Sequence, residues 1–281
     1  MQWQLYDPAF EADSLNSNLP FSPWGGHRNF AYDLVVALQP KRIVELGSHY
    51  GCSLFAFAQA IKDKGLPTEL FGIDTWQGDE QAGFYSNEVF ELVQKTISEH
   101  FSRIPITLLR KTFLEARADI EDQSVDVLHI DGLHTYEAVV EDFDTWLCKL
   151  APEGVVLFHD VNPKLTYGSR QHWEEVSARF PSLRFDHSWG LGVLFPKGDS
   201  KKVLVAGEFW EERRLVYQYR AEGRLASQQV RDLSRFIDEQ KVAMDKMESM
   251  IRDRDEAIAA QTKLIDERDA YIKVLETKVS K

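Results

Sequence analysis

Short apolar runs alternate with longer amphipathic stretches over the first two thirds of the chain. The apolar runs are rich in Val, Ile, Leu and Phe, which is typical of strands buried on both faces. They predict five strands, at residues 41–46, 69–74, 106–110, 125–131 and 155–160. Helical spacing predicts helices at residues 53–64, 87–101 and 136–150. Strands that alternate with helices of this length predict parallel βαβ units and a Rossmann-like, doubly wound sheet.

Two further strands are predicted at residues 184–189 and 192–196, where a glycine turn joins two apolar runs. A terminal hairpin on an otherwise parallel sheet predicts one antiparallel strand. The predicted fold class is therefore α/β, with a mostly parallel seven-stranded sheet that contains one antiparallel strand. A long C-terminal helix is expected to follow it.

The apolar spacing changes to seven residues near the C-terminus. The first row of this heptad pattern contains Ile237, Met244, Ile251, Ile258, Ile265, Ile272 and Val279. A second, largely polar row follows it three residues later and contains Gln240, Met247, Arg254, Gln261, Arg268 and Leu275. No Pro or Gly follows Gly223. A solvated single helix would leave the apolar row exposed, so the pattern favours a coiled coil.

The chain is predicted to have four parts. A cap segment spans residues 1–24, an α/β domain spans 25–200, a connector spans 201–224 and the coiled coil spans 225–281. We expect the coiled coil to join copies of the chain into a homo-oligomer, or to dock the chain onto a biosynthetic partner.

Charge and cysteine content restrict the partners and the compartment. The net charge of −12 argues against nucleic acid, which normally needs a basic face. All of this net charge lies before residue 224, because the rest has 12 basic and 12 acidic residues. Only Cys52 and Cys148 are present, without metal-like spacing, so a reducing compartment is expected. The N-terminus lacks the pattern of a signal peptide and no apolar run is long enough to span a membrane, so we expect a cytoplasmic protein.

The stretch "IVELGSHYGCS" joins the first predicted strand to the next helix. Glu45 ends the strand, and Gly47 and Gly51 flank the turn. A pyrophosphate would need a bare helix N-terminus and a G-x-G-x-x-G arrangement. Here the bulky His49 and Tyr50 fill that space. The turn therefore favours a ligand without phosphates and disfavours a nicotinamide-dependent dehydrogenase.

Asp74 ends the second predicted strand, 27 residues after Gly47. In a parallel sheet the crevice at the carboxyl ends of the strands is available for a ligand, and an acid there can accept both hydroxyls of a ribose. A structural turn would explain the glycines alone. The glycine turn and Asp74 together favour a nucleoside.

A second polar set follows the fourth and fifth predicted strands. Asp131 ends the fourth strand, His134 follows three residues later, and Asp160 ends the fifth. Neighbouring strand ends lie ~5 Å apart, so the two carboxylates are expected to face one site. Oxygen ligands of this kind suit Mg²⁺, and an imidazole can act as general base. A helix cap or turn for the acids, and a structural role for His134, are the alternatives.

The "VELGSHYGCS" and "FGIDTW" segments resemble the class I S-adenosylmethionine-dependent methyltransferases. Glu45, Gly47 and Gly51 match the first motif of that family, and Asp74 matches its ribose-binding acid. His49 stands where the family has a middle glycine. The resemblance implies cofactor contacts from Glu45, Gly47, Ser48, Gly51, Asp74, Thr75, Trp76, Thr112, Phe113 and Asp131. It also implies that residues 25–200 are the methyltransferase domain.

The segment from His129 to Asp160 resembles metal-dependent O-methyltransferases that act on sugar or macrolide hydroxyls. Asp131, His134 and Asp160 match the metal, base and metal positions of that group. Catechol-type enzymes have Asp-Asn at the last site, whereas here Asn162 comes two residues after Asp160. The third ligand is therefore open between His159, Asn162 and water.

A third segment, "GIDTWQGDEQAGFY", is similar to methyltransferase domains of bacterial surface-polysaccharide proteins. Together the resemblances imply O-methylation of a sugar or polysaccharide hydroxyl, with S-adenosylmethionine as cofactor and Mg²⁺ assisting. Catalysis is then expected from His134 and Asp131, with metal ligands Asp131, Asp160 and Asn162, on a small-molecule or glycan acceptor. The alternative is an inactive methyltransferase-like head on a coiled-coil scaffold protein.

Overall fold

The computed structural model describes residues 3–79 and 83–279. Residues 1 and 2 of the predicted cap segment lie outside the described residues, as do residues 280 and 281 of the predicted coiled coil. Residues 80–82, which belong to the polysaccharide-type segment, also lie outside them.

Seven strands form one sheet. They are β1 (Arg42–Leu46), β2 (Glu69–Asp74), β3 (Ile106–Arg110), β4 (Val125–Ile130), β5 (Leu150–His159), β6 (Ser182–Phe185) and β7 (Leu191–Leu194). Their order across the sheet is β3-β2-β1-β4-β5-β7-β6. Strand β7 runs antiparallel to both of its neighbours, and the other pairs are parallel. The predicted fold class is confirmed, including the single antiparallel strand.

Eight α-helices accompany the sheet in the described part of the chain. They are α1 (Arg28–Leu38), α2 (Cys52–Lys64), α3 (Glu88–His100), α4 (Phe113–Ala116), α5 (Tyr136–Trp146), α6 (Gly168–Arg179), α7 (Ser200–Ala206) and α8 (Trp210–Val279). Short 3-10 turns lie at Glu11–Ser14, Leu19–Phe21, Gly25–His27 and Arg117–Asp119, and a two-residue ladder pairs Gly78–Asp79 with Gly83–Phe84.

Both faces of the sheet are covered, which explains the continuous apolar character of the central strands. On one face, side chains such as Leu34 of α1 and Phe57 of α2 form a buried cluster. On the other face, Phe143 and Trp146 of α5 pack with Trp173 of α6. The carboxyl ends of the parallel strands therefore meet along one edge between two helical layers.

Two predicted boundaries are wrong by several residues. Strand β6, predicted at 184–189, is Ser182–Phe185, because the residues after Phe185 form the turn to β7. The junction of α5 and β5 is the other. Helix α5 ends at Trp146, not at 150, and β5 begins at Leu150, not at 155. Pro152 and Gly154 have the composition of a turn. Leu150 nevertheless pairs with Val125 and Val155 pairs with Val127, so the residues between Leu150 and Val155 form a bulge in β5. Such a bulge tolerates residues that a regular central strand would exclude.

The chain divides into two compact units, Met1–Leu225 and Ala226–Lys281. Helix α8 begins at Trp210, within the stretch predicted to be a connector, and its first turns belong to the first unit. The four-part division remains a prediction. None of the described helices combines the length and the apolar character that crossing a membrane requires.

A buried hydrogen-bond network fixes the first turns of α8 within the first unit. The Tyr217 hydroxyl donates to Asp33 on α1 and accepts from the Trp3 indole at 3.0 Å. Burial raises the pKa of Asp33 to about 7, although hydrogen bonds from Tyr217 and from the backbone of Tyr6 oppose the increase. Tyr217 itself is only 1% exposed. The hydroxyl therefore supports a carboxylate that has little access to water.

We predict that Tyr217→Phe lowers the free energy of unfolding by about 1–3 kcal/mol, because a buried acceptor loses its donor. Urea unfolding at pH 8, where Asp33 is mostly ionised, measures the change. Tyr219→Phe is the matched control, since Tyr219 is 66% exposed and should change stability by less than about 0.5 kcal/mol. Equal stability of the two variants would contradict the prediction.

Candidate functional site

A cavity of about 910 Å³ lies at the carboxyl ends of the parallel strands. Each strand end contributes to its wall: Gly47 and Ser48 after β1, Asp74 and Thr75 at the end of β2, Thr112 and Phe113 after β3, Asp131, Gly132 and His134 after β4, and His159 and Asp160 at the end of β5. Part of the N-terminal segment, including Leu19 and Trp24, closes another side. This is the crevice in which α/β sheets bind ligands.

The glycine turn after β1 is shaped by a close backbone contact. Gly47 has φ +91°, and a Cβ atom there would lie 2.0 Å from the carbonyl oxygen of Asp131. The Asp131 amide donates to the Leu46 carbonyl at 2.9 Å, so the ends of β1 and β4 are joined. Gly51, with φ +81°, precedes the first residue of α2. Both glycines therefore have backbone conformations that favour glycine.

Asp74 connects the end of β2 to the same turn. Its carboxylate accepts the His49 amide at 2.9 Å and the Trp76 amide at 2.7 Å. The Trp76 indole donates to the His49 carbonyl at 2.9 Å. Asp74 lines the cavity, and each of its oxygens has accepted one of these bonds, which leaves acceptor capacity for a ligand. Trp76 is buried behind the turn and supports it without lining the cavity.

Glu45 points away from the cavity. Its side chain is completely buried, and its Oε2 atom lies 3.0 Å from Nδ1 of His129, the residue opposite it on β4. The Trp24 indole donates to Nε2 of His129 at 3.0 Å. Because Nε2 accepts this bond, Nδ1 carries the proton that His129 donates to Glu45. Glu45 thus lies beneath the cavity wall, where it connects β1, β4 and the N-terminal segment.

Two aspartates and two histidines form one cluster at the ends of β4 and β5. Nε2 of His134 lies 2.7 Å from Oδ2 of Asp160 and 3.8 Å from Oδ1 of Asp131. Nδ1 of His159 lies 3.0 Å from Asp160 and 3.2 Å from Asp131. One ligand atom each from Asp131, His134 and Asp160 lies within 4.8 Å of the others, which is close enough for one metal ion to contact all three.

Proton affinities in this cluster reflect its charge pairs. Burial opposes the charge on His134, yet its contacts with Asp131 and Asp160 raise its pKa to about 9. The pKa of His159 is raised well above its usual value by the same two carboxylates, again against the effect of burial. Burial alone would raise the pKa values of both aspartates, but the histidines hold them low. Two imidazolium rings therefore balance two carboxylates.

His159 also holds the loop that closes this side of the cavity. Its Nε2 atom lies 3.1 Å from the carbonyl oxygen of Ser188. Both ring nitrogens thus face acceptors, which is the pattern of a doubly protonated ring. The loop needs support, since Ser188 and Trp189 have left-handed φ angles of 50° and 67°.

The structure does not bring Asn162 into the cluster. Its side-chain oxygen accepts the Lys164 amide at 2.8 Å, and its side-chain nitrogen donates to the carbonyl of Asp186. Both ends of the amide are therefore used in the loop after β5. His159, one of the alternatives open from the sequence, takes the place beside the two carboxylates.

Aromatic rings border the cluster on its open side. The Tyr167 ring stacks on His134 with a centroid distance of 5.2 Å and an angle of 13°. Trp189 lies 6.2 Å from Tyr167, is 45% exposed and lines the cavity. The apolar pattern alone makes Trp189 the end of a predicted strand. A Ser-Trp-Gly sequence between two apolar runs is the turn signal that could have identified it.

Asp142 is a cavity residue that the sequence patterns considered above do not identify. It is 9% exposed, and no hydrogen bond or ion pair of its carboxylate occurs among the described residues. Burial, together with the charge of Glu141, raises its pKa to about 7. An acid on the buried stripe of α5, between Val139 and Trp146, is the signal that could have revealed it.

Known proteins share the segment that forms this cavity. Residues 44–161, from β1 to the residue after Asp160, match the family model of a methyltransferase domain. This segment of the chain is similar to methyltransferase domains. The uncharacterized protein y4gI of Sinorhizobium fredii (strain NBRC 101917 / NGR234) is 51% identical over 179 residues, which are 63% of this chain and 19% of that protein. The chain thus spans about a fifth of the length of that relative.

Solved structures share the fold of this part of the chain. A methyltransferase from Geobacter sulfurreducens has a TM-score of 0.51 at 15% identity, covering 69% of this chain and 93% of that one. A putative caffeoyl-CoA O-methyltransferase from Staphylococcus aureus has a TM-score of 0.50 at 15% identity, covering 68% of this chain and 93% of that one. The class I methyltransferase fold expected from the sequence is confirmed.

We predict that Gly47→Ala lowers the free energy of unfolding of the first unit by about 3 kcal/mol or more, because the new Cβ meets a backbone carbonyl at a residue with a left-handed conformation. Gly65→Ala is the matched control. Gly65 also has positive φ, at +59°, but a Cβ added there would have no other atom within 4 Å. The control should lose only about 1–2 kcal/mol. Similar losses in urea unfolding would show that the contact with Asp131 is unimportant.

Asp142 supplies a prediction on pH. Its pKa is higher in the folded protein than in the unfolded chain, so its contribution to stability is present near pH 4 and is lost as pH rises through 7. The free energy of unfolding of Asp142→Asn, relative to that of the original chain, should therefore be higher at pH 8 than at pH 4 by roughly 2–4 kcal/mol. Urea unfolding at several pH values measures this difference.

The matched control for that series is Asp144→Asn, an exposed residue on the same helix. It should show no comparable pH-dependent gain. A difference between Asp142→Asn and the original chain that stays constant from pH 4 to pH 8 would contradict the assignment of Asp142 as a buried, unpaired acid.

Proposed function

We propose that this protein transfers the methyl group of S-adenosylmethionine to a hydroxyl of a sugar or polysaccharide. The observation that carries the proposal is the shared cavity of Asp74 and the Asp131–His134–Asp160 set. Asp74 suits binding of a nucleoside, and the Asp131–His134–Asp160 set suits activation of a hydroxyl. A volume of about 910 Å³ lies within the range of small-molecule sites.

On the donor side, we assign the ribose hydroxyls to Asp74, which has acceptor capacity beyond its two amide bonds. Gly47 and Ser48 allow the donor to approach the backbone, and Thr75, Thr112, Phe113 and Asp131 line the same cavity. Glu45, Gly51 and Trp76 then contribute indirectly, because they hold the turn and lie outside the cavity wall.

The residues present fit a divalent cation. Asp131 and Asp160 offer oxygen ligands, and Oδ1 of Asp160 is buried without a hydrogen-bond partner among the described residues. A bound Mg²⁺ would supply charge that orients the acceptor hydroxyl and lowers its pKa. A divalent cation carries the same charge as two imidazolium rings. A bound cation could therefore balance the two carboxylates while both histidines are neutral. Asn162 is left out of the ligand set, because its amide is engaged elsewhere.

We assign His134 as the general base. A general base must be neutral when the acceptor binds. Asp131 and Asp160 stabilise the protonated form of His134. A cation bound to these two carboxylates would weaken that stabilisation and favour neutral His134. Stacking on Tyr167 fixes the plane of its ring. His134 would then take the hydroxyl proton while the oxygen attacks the methyl group in line with the departing sulfur.

On the acceptor side, Tyr167 and Trp189 offer aromatic faces beside the polar cluster. An apolar ring face with polar groups around its edge matches a sugar, which has C–H faces and a rim of hydroxyls. This match supports a sugar acceptor over a fully apolar one. The two free cysteines agree with a reducing compartment, and we propose the cytoplasm as the site of action.

The test is incubation with labelled S-adenosylmethionine and a panel of nucleotide sugars and glycans, with and without EDTA. We expect label in a sugar product, and at least a roughly hundredfold loss of rate in EDTA and in Asp131→Ala, since positioning and activation of the hydroxyl are lost together. Asp144→Asn is the control variant and should keep full activity. Full activity in EDTA and in Asp131→Ala would remove the metal from the proposal.

Calorimetric titration with S-adenosylmethionine separates an enzyme from an inactive scaffold. Binding with a Kd in the micromolar range is expected of an intact donor site. A folded chain that binds neither S-adenosylmethionine nor S-adenosylhomocysteine would contradict the proposed function and favour the scaffold.

A further inference from the structure

The second unit of the chain presents a long apolar stripe on helix α8. From residue 231 to residue 278 every side chain is exposed. The stripe contains position a of the heptads (Ile237, Met244, Ile251, Ile258, Ile265, Ile272) and, beside it, the mostly apolar position g (Phe236, Ala243, Met250, Ala257, Leu264, Tyr271). Monomeric proteins rarely expose a continuous apolar surface of this length.

A helix with an exposed apolar stripe needs a packing partner to be stable. In proteins, helices are stabilised mainly by packing of an amphipathic face, not by intrinsic propensity. Here the a row remains 42–60% exposed along its whole length. An occupant must therefore have an apolar stripe with the same spacing, which a second copy of α8 has.

Two arginines that border the stripe indicate which charge a partner should carry. Arg254 and Arg268 occupy position d, and no ion pair of either occurs in the described part of the chain. Their neighbours three and four residues away on α8 are all apolar: Met250, Ile251, Ala257 and Ile258 around Arg254, and Leu264, Ile265, Tyr271 and Ile272 around Arg268. A partner with carboxylates beside its own apolar stripe would complement these two charges.

The chain itself has carboxylates at that place. Asp255 and Asp269 directly follow the two arginines and occupy position e. In a parallel, in-register pair, a position d side chain inserts between positions a, d and e of the facing helix. Arg254 would then meet Asp255 of the second copy, and Arg268 would meet Asp269. These contacts also offset the repulsion between the two arginines of one layer.

An antiparallel pair would be less favourable. Position e then faces position e, and this row reads Lys241, Glu248, Asp255, Thr262, Asp269 and Glu276. With the two rows fully overlapped, Glu248 would face Asp269 and Lys241 would face Glu276, so this row gives no net preference. The arginines, however, would lose the carboxylates at their sides. Charge thus selects orientation, while the isoleucine row supplies the attraction.

We propose that α8 pairs with α8 of a second copy of this chain as a parallel, in-register coiled coil, in which Arg254 and Arg268 contact Asp255 and Asp269 of the other copy. This decides between the two partners that the heptads allow, in favour of a second copy. It does not depend on the proposed methyl transfer, and it can be tested without activity.

The first experiment measures the mass of the full chain by light scattering. A mass of two copies is expected at micromolar concentration. Arg254→Asp with Arg268→Asp should raise the dimer Kd by roughly tenfold or more, since several favourable contacts become repulsive. Adding Asp255→Arg and Asp269→Arg should restore the original Kd. The matched control is Arg252→Asp with Lys273→Asp, which makes the same charge change at position b and should leave the Kd within about twofold.

The second experiment tests orientation by oxidation to disulfides in a Cys148→Ser parent. Met244→Cys and Ile272→Cys, made separately, lie 28 residues apart at position a. In a parallel, in-register pair each new cysteine meets its own equivalent within disulfide range, so both variants should cross-link and the parent should not. In an antiparallel pair at most one residue can meet itself. A mass of one or three copies, cross-linking in one variant only, or no rescue by the charge swap would overturn the proposal.

Discussion

The close approach of β1 and β4 is the constraint on which the site depends. The Asp131 amide bonds to Leu46, and the carbonyl of Asp131 lies where a side chain of residue 47 would have to be. This contact brings the glycine turn and the first acid of the charged cluster together. We propose that a donor which follows the turn from Asp74 ends beside Asp131, within reach of His134 and Asp160. The proposed binding site and the proposed catalytic cluster are then adjacent because these two backbone segments are in contact.

Charge balance is the second organising feature. Two carboxylates at neighbouring strand ends would repel each other in a partly buried site. In this structure His134 and His159 offset that repulsion, and His159 extends the network to the carbonyl of Ser188. The cluster thus holds the loop that carries Trp189 as well as its own acids. Substituting one member is expected to affect the shape of the acceptor side together with its charge.

Much of the fold could be predicted because it follows local patterns. Apolar runs, helical spacing and strand-ending acids placed Asp74, Asp131 and Asp160 at one edge of the sheet. The early start of β5 could not be predicted, since Pro152 and Gly154 are typical turn residues and are accommodated only by a bulge within β5. The start of α8 at Trp210 could not be predicted either. Its first turns contact Asp33 and Trp3 and do not follow the heptad pattern.

The candidate site could be predicted less completely than the fold, because the direction of each side chain depends on tertiary contacts. Glu45 matches the first motif, but its opposite neighbour on β4 is His129, and that pairing depends on strand register. Asn162 is used by Asp186 and Lys164, contacts that form only when the loop folds. Asp142 and Trp189 enter the cavity from a helix face and from a left-handed turn. These features depend on tertiary contacts, which a single sequence does not reveal.

The most direct test of the account is a crystal structure with S-adenosylhomocysteine and Mn²⁺, with the metal located by anomalous scattering. We expect the homocysteine end beside Gly47, the ribose on Asp74, and a manganese peak bound by Asp131 and Asp160 in the same cavity. An S-adenosylhomocysteine molecule bound outside this cavity, or with its sulfur turned away from the Asp131–Asp160 pair, would contradict the account.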